Sequence, residues 1–157
     1  MEDWRRIDID ALDPENARLT AADLQQPLLT TLPTYTIQQV QQQISQLRSF
    51  GSSGDTLSAV RLITGSPVYL TDSEATKQQY LLAVLDVLCQ ARPTDIANIV
   101  KQLSNDEADV LTKYLYKGMS KPEGAKQGAV LLSWLDKVIE KNGTGSIIRF
   151  LTDRKSV

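Results

Sequence analysis

The chain has 157 residues, 41% of them hydrophobic and 23% charged, with a formal net charge of −2. These are ordinary values for one globular domain, and a chain of this length can bury about 68–70% of its unfolded surface without staples. They exclude the strongly basic footprint of a nucleic-acid binder. Residues 1–100 carry 12 acids and 7 bases, and residues 101–157 carry 7 acids and 10 bases, a mild polarity only.

Residues 1–34 read as an extended N-terminal arm and linker. Trp4, Ile7 and Ile9 are its early apolar anchors, set among Asp3, Asp8, Asp10, Asp13 and Glu15, and Pro14, Pro27 and Pro33 rule out a long helix. An aromatic and two β-branched residues in a polar tail suit a partner surface. The opening Met1-Glu-Asp-Trp4 is acidic with no apolar run behind it, so no signal peptide and a cytoplasmic chain are expected.

Residues 35–157 read as an all-helical domain. A helix is expected over Thr36–Ser49, where Ile37, Val40, Ile44 and Leu47 recur at helical spacing opposite a glutamine-rich face. Gly51-Ser-Ser-Gly54 breaks it. Asp55 then caps a short helix through Leu57, Val60 and Ile63, ended by Gly65. Val68-Tyr-Leu70 has no partner run and is expected as an extended connector.

The organising element is Tyr80-Leu-Leu-Ala-Val-Leu-Asp-Val-Leu-Cys89, in a helix capped by Asp72 or Ser73. Its large apolar side chains span roughly 220° of an ideal helix, against the roughly 100° a surface helix needs. A central position, packed from several sides, follows. The run is shorter than the roughly 20 residues of a membrane span.

Pro93 opens the next helix, with Ile96, Ile99, Val100 and Leu103 inward. Ser104 and Glu107 form a capping-box pattern before Val110, Leu111, Tyr114 and Leu115, with Gly118 as the stop. After Pro122 an amphipathic helix lines Val130, Leu131, Trp134, Leu135, Val138 and Ile139 on one face. Gly143 stops it, Thr144 caps a last short helix, and Ile147, Ile148 and Leu151 are expected to complete the core. The sum is an all-α bundle of about seven helices around a central apolar helix, with no sheet.

Motifs for chemistry fail on inspection. There is no histidine, which removes the usual base near neutral pH and the Ser-His and Cys-His pairs. The single Cys89 cannot form an intrachain disulfide and reads as core filler. Asp8, Asp10 and Asp13 would need glycine and glutamate at the sixth and twelfth loop positions of a calcium hand, where Asp13 and Leu19 stand. Gly143-Thr-Gly-Ser146 opens a helix but lacks the preceding strand and Lys-Ser/Thr pair of a phosphate loop. In Lys113-Tyr-Leu-Tyr-Lys117 the two tyrosines lie about 200° apart on a helix and cannot form one stacking platform. No catalysis, metal or cofactor is expected, and the residues alone point to a helical interaction module with an anchoring arm.

The segments Lys113-Tyr-Leu-Tyr-Lys-Gly118, Ala129-Val-Leu-Leu-Ser-Trp134 and Gly143-Thr-Gly-Ser-Ile-Ile-Arg-Phe-Leu-Thr-Asp-Arg-Lys-Ser-Val157 resemble the subunit 5 family of the actin-related protein 2/3 complex, the assembly that nucleates branched actin filaments. Trp4-Arg-Arg-Ile-Asp-Ile-Asp10 resembles that family's opening. The likeness covers residues 4–13 and 72–157 well and residues 14–71 weakly. It implies an all-α superhelical bundle with no active site, docked on subunit 4 and the β-propeller subunit 1. It also implies an N-terminal arm that tethers actin-related protein 2, at Trp4, Arg5, Arg6, Ile7 and Ile9. The closing motif implies Arg149, Arg154 and Lys155 as partner contacts. The implied setting is a hetero-oligomer in the cytoplasm at cortical actin, touching filaments indirectly, with neither nucleic acid nor membrane as partner. The alternative is a free, armadillo-like helical adaptor for peptides or proteins, but no fixed-period repeat is present.

Overall fold

A computed structural model describes residues 32–157, which form eight helices and one two-residue strand pair. β1 is Thr34–Tyr35, followed by α1 (Ile37–Ser53), α2 (Thr56–Gly65) and β2 (Leu70–Thr71). Then come α3 (Glu74–Gln90), α4 (Pro93–Gln102), α5 (Asn105–Met119), α6 (Pro122–Ala125), α7 (Gly128–Asn142) and α8 (Gly145–Thr152). The strands pair in parallel, Thr34 with Leu70 and Tyr35 with Thr71. The end of the stretch expected as a lone connector, Leu70, therefore does find a partner, near the start of the described residues, which a search for a second apolar run misses.

Local chemistry places the helix starts. Thr36 accepts the Gln39 amide hydrogen while its own N–H donates to Gln39 Oε1 at 2.9 Å, a capping box that opens α1. The box at α5 is the expected one: Ser104 Oγ accepts from the Glu107 N–H and Ser104 N–H donates to Glu107 Oε2 at 2.7 Å. Asp55 caps α2 by accepting from the Ser58 N–H. Ser73 precedes α3 without a side-chain cap bond.

The glycines depart from expectation. α1 runs through Gly51 and stops at Gly54, whose φ of 74° is the left-handed cap. Gly118 does not stop α5. It lies one residue inside the helix's end, where a Cβ would collide with Leu85, and a Cβ on Gly124 would collide with the Gly118 carbonyl oxygen. Small residues there let α3, α5 and α6 close together. The run after Pro122 accordingly splits into the short α6 and the long α7.

The core sits around α3, which packs against α1, α2, α5 and α7. Tyr80, Leu81, Val84, Leu85, Val87 and Leu88 are buried, whereas Leu82 is partly exposed and Cys89 half-buried. Burial, and then Asp86, pushes the Cys89 thiol above its ordinary range, so it is a poor thiolate. The Trp134 indole N–H donates to the Leu88 carbonyl at 3.0 Å, and the Val68 N–H donates to Tyr114 Oη at 3.1 Å. Lys141 Nζ donates to the Val100 and Leu103 carbonyls, closing the C-terminus of α4, where a cation also meets the helix dipole favourably.

One expectation about the core is overturned. Ile148 is 59% and Leu151 72% exposed, Ile147 is only half-buried, and Ser146 and Val157 are the buried residues of the C-terminal segment. Ile37 also lies outside the core stripe of α1, 43% exposed.

Candidate partner-binding surface

Among the described residues no cluster of His, Cys, Asp and Glu is arranged to hold a metal ion, and no helix is long and apolar enough to cross a membrane. The feature that stands out is α8 with the residues that follow it. Gly143 turns the chain into α8 with φ 68° and ψ −174°, a region essentially restricted to glycine. Ser146 Oγ donates back to the Gly143 carbonyl at 3.1 Å, which fixes the turn. The Thr144 side chain makes no cap bond.

α8 is held to α5 by two ion pairs one helical turn apart. Arg149 grips Asp109 with two bonds, Nε to Oδ2 at 2.5 Å and Nη2 to Oδ1 at 2.9 Å. Lys113 Nζ meets Asp153 Oδ2 at 2.6 Å and donates to Tyr69 Oη at 3.2 Å. Asp109 and Lys113 are spaced i, i+4 on α5, as are Arg149 and Asp153 opposite, with the signs reversed. Of the outer pair the Arg149 side chain is about half exposed and Asp109 largely covered, whereas the Lys113 side chain is only 7% exposed. Burial pushes the Asp153 carboxyl up, but bonds from Lys113 and the Lys155 N–H outweigh it and hold the carboxyl below its ordinary range.

This polar clamp explains the exposed side chains. The face α8 turns to α5 carries Arg149, so Ile148 and Leu151 point away. Beside them Phe150 stacks on Tyr116, ring centroids 4.4 Å apart and planes 6° from parallel. A hollow of about 470 Å³ opens there, with Lys113, Tyr116 and Lys117 on one side and Leu151, Lys155 and Val157 on the other. Fully burying a side chain such as Leu or Ile contributes about 1.5–3 kcal/mol. Two aliphatic residues exposed beside an aromatic stack are therefore a surface on which association can gain free energy.

Of the residues expected to meet partners, Trp4, Arg5, Arg6, Ile7 and Ile9 lie outside the described residues. Arg149 is engaged with Asp109. Arg154 is exposed, and Lys155 is half-buried at the edge of the hollow. Sequence reasoning passed over Ile148 and Leu151 as surface residues because they continue an apolar spacing, and it passed over Asp109. The readable signal was the pair of oppositely charged i, i+4 spacings, 109–113 and 149–153, but not that the two would face each other.

A family model described as ARP2/3 complex 16 kDa subunit (p16-Arc) matches residues 3–157. The chain is 52% identical over 155 residues to actin-related protein 2/3 complex subunit 5 of Saccharomyces cerevisiae, covering 99% of this chain and 98% of that one. It is 41% identical over 105 residues to the subunit 5-like protein of Homo sapiens, covering 66% and 67% of the two chains. With subunit 5-C of Xenopus laevis the identity is 36% over 104 residues, covering 66% and 69%.

Proposed function

Because this chain belongs to the ARP2/3 complex 16 kDa subunit (p16-Arc) family, we propose how it is seated in that assembly. The chain is a subunit of the actin-related protein 2/3 complex, with a structural and non-catalytic part in actin nucleation. The observation that carries this is the match over residues 3–157 together with 52% identity to a relative of nearly the same length.

The finer reading is that the helical domain docks on subunit 4 and the propeller subunit 1, while the leading arm tethers actin-related protein 2. The arm residues are Trp4, Arg5, Arg6, Ile7 and Ile9. Its support is the family match itself, which begins at residue 3 and so includes them. For the domain, the support is the outward apolar pair Ile148 and Leu151, flanked by Arg154 and Lys155. Arg149 then acts by positioning α8 through Asp109. A cytoplasmic location at cortical actin belongs to the same proposal.

The test is recovery of a tagged full-length chain from extract by native gel filtration. Stoichiometric co-elution with a propeller protein and two actin-like proteins is expected; a free monomer alone would overturn the reading. The double variant Ile148→Ser/Leu151→Ser should keep its melting temperature within a few degrees and lose at least tenfold of the co-recovered subunits. Unchanged recovery would remove α8 from the interface.

A further inference from the structure

The hollow beside α8 does not end at the C-terminal segment. It shares Lys117 and Val157 with a second hollow between α3 and α5, and that one shares Gln78, Leu81 and Lys121 with a third that reaches Leu82 and Leu85. The three form one trough. Its walls carry helical spacings: Lys77, Leu81 and Leu85 on α3, and Lys113, Tyr116 and Lys117 on α5, with Ser120 just past its end. Each end offers an exposed leucine, Leu82 at 41% and Leu151 at 72%, with Glu123 near the first.

The middle is cationic. Lys77, Lys113, Lys117, Lys121 and Lys155 line the first two hollows against the carboxylates of Glu74 and Asp153. An α-carboxylate at Val157 still leaves an excess of two positive charges there, and Glu123 in the third hollow leaves an excess of one over the whole trough. Asp153 is taken by Lys113, and Lys77 spends its hydrogen bonds on the Tyr69 and Ser156 carbonyls at 2.9 and 3.1 Å. Lys117, Lys121 and Lys155 have no carboxylate within ion-pair distance among the described residues. Burial holds the Lys77 ammonium below its ordinary range; Glu74 opposes that and Lys117 adds to it. Crowded like charges between two exposed leucines favour an anionic occupant that also carries apolar side chains.

We propose that this trough seats an acidic segment of a companion subunit, its carboxylates over Lys117 and Lys121 and aliphatic or aromatic side chains on either side, against Leu82 and Leu151. The proposal rests on the chain being a subunit of the complex and adds the chemistry of one contact. A water-soluble carbodiimide tests it on complex purified through the tagged full-length chain, because the reagent joins an ammonium to a carboxylate only where the two touch. Amide links from Lys117 or Lys121 to an Asp- or Glu-bearing peptide of another subunit are expected. The variant Lys117→Glu/Lys121→Glu should melt as the parent does and retain less than a tenth of that subunit at 0.15 M salt. If the complex is recovered and these lysines link to no other chain, the trough proposal is overturned while the subunit reading stands. If no complex is recovered at all, both fall together.

Discussion

Lys113 and Asp153 show how one residue pair can hold a helix end. The Lys113 ammonium is nearly sealed from water and has Asp153 as its counter-charge, so removing the acid strands a buried cation. Asp153→Asn should lower the unfolding free energy at pH 7, read from urea unfolding, by less than the about 3–5 kcal/mol of a fully buried pair, because water reaches the carboxylate. The sign with pH follows from a carboxyl held below its ordinary range. Its contribution is complete above the unfolded value of about 3.9 and is lost as pH falls through the lower folded value. Parent and variant should therefore differ at pH 7 and draw together as pH falls below about 3.9; a difference that stays constant through that fall would show that the ionised carboxylate is not what matters. Arg149 and Asp109 have side chains 49% and 20% exposed, and water screens their attraction. Their role is orientation more than stability.

At the scale of elements, α3 and the close approach of α5 and α6 decide the packing. Leu85 is 6% exposed on the central helix and sits against Gly118. Leu85→Ala should cost about 2–5 kcal/mol, as core truncations do, measured by chemical unfolding; a cost near zero would deny α3 its central place. The two close glycines should differ. A methyl on Gly118 meets the far end of the Leu85 side chain, which can turn aside, whereas one on Gly124 meets the backbone carbonyl of Gly118. Gly124→Ala should therefore be the costlier of the two, with overpacking of about 1–3 kcal/mol or more, and Leu85→Ala should relieve Gly118→Ala but not Gly124→Ala. Equal costs in both backgrounds would place the contact elsewhere. Gly118 read as a helix stop by its type alone; its use for close approach became visible only when Leu85 was set against it.

For the molecule as a whole, folding and assembly should separate. Deleting residues 1–33 should leave the melting of the helical domain unchanged and weaken retention of one actin-like subunit. If the shortened chain failed to fold, the leading residues would belong to the core and the proposed division of the chain would be wrong. Removing that segment also takes away Asp3, Asp8, Asp10 and Asp13, so the comparison is best made at physiological salt, where the Debye length is about 8 Å.

Much of this protein is legible in one dimension, because the forces involved are local or periodic. The burial of Val40, Ile44 and Leu47, of Ile96, Ile99 and Val100, and of Leu131, Trp134 and Val138 follows from side chains repeating with the helix turn. The cap at Ser104 follows from an amide three residues away. Family membership followed from the ordered closing motif. The faces of α8 did not follow. Ile148 and Leu151 obey the same spacing as core residues, and only the approach of Asp109 and Lys113, 40 residues earlier in the chain, turns the charged side inward and the apolar side out. Helical spacing says which side chains share a face; which face meets protein and which meets water is settled by charges that the fold brings together from distant positions.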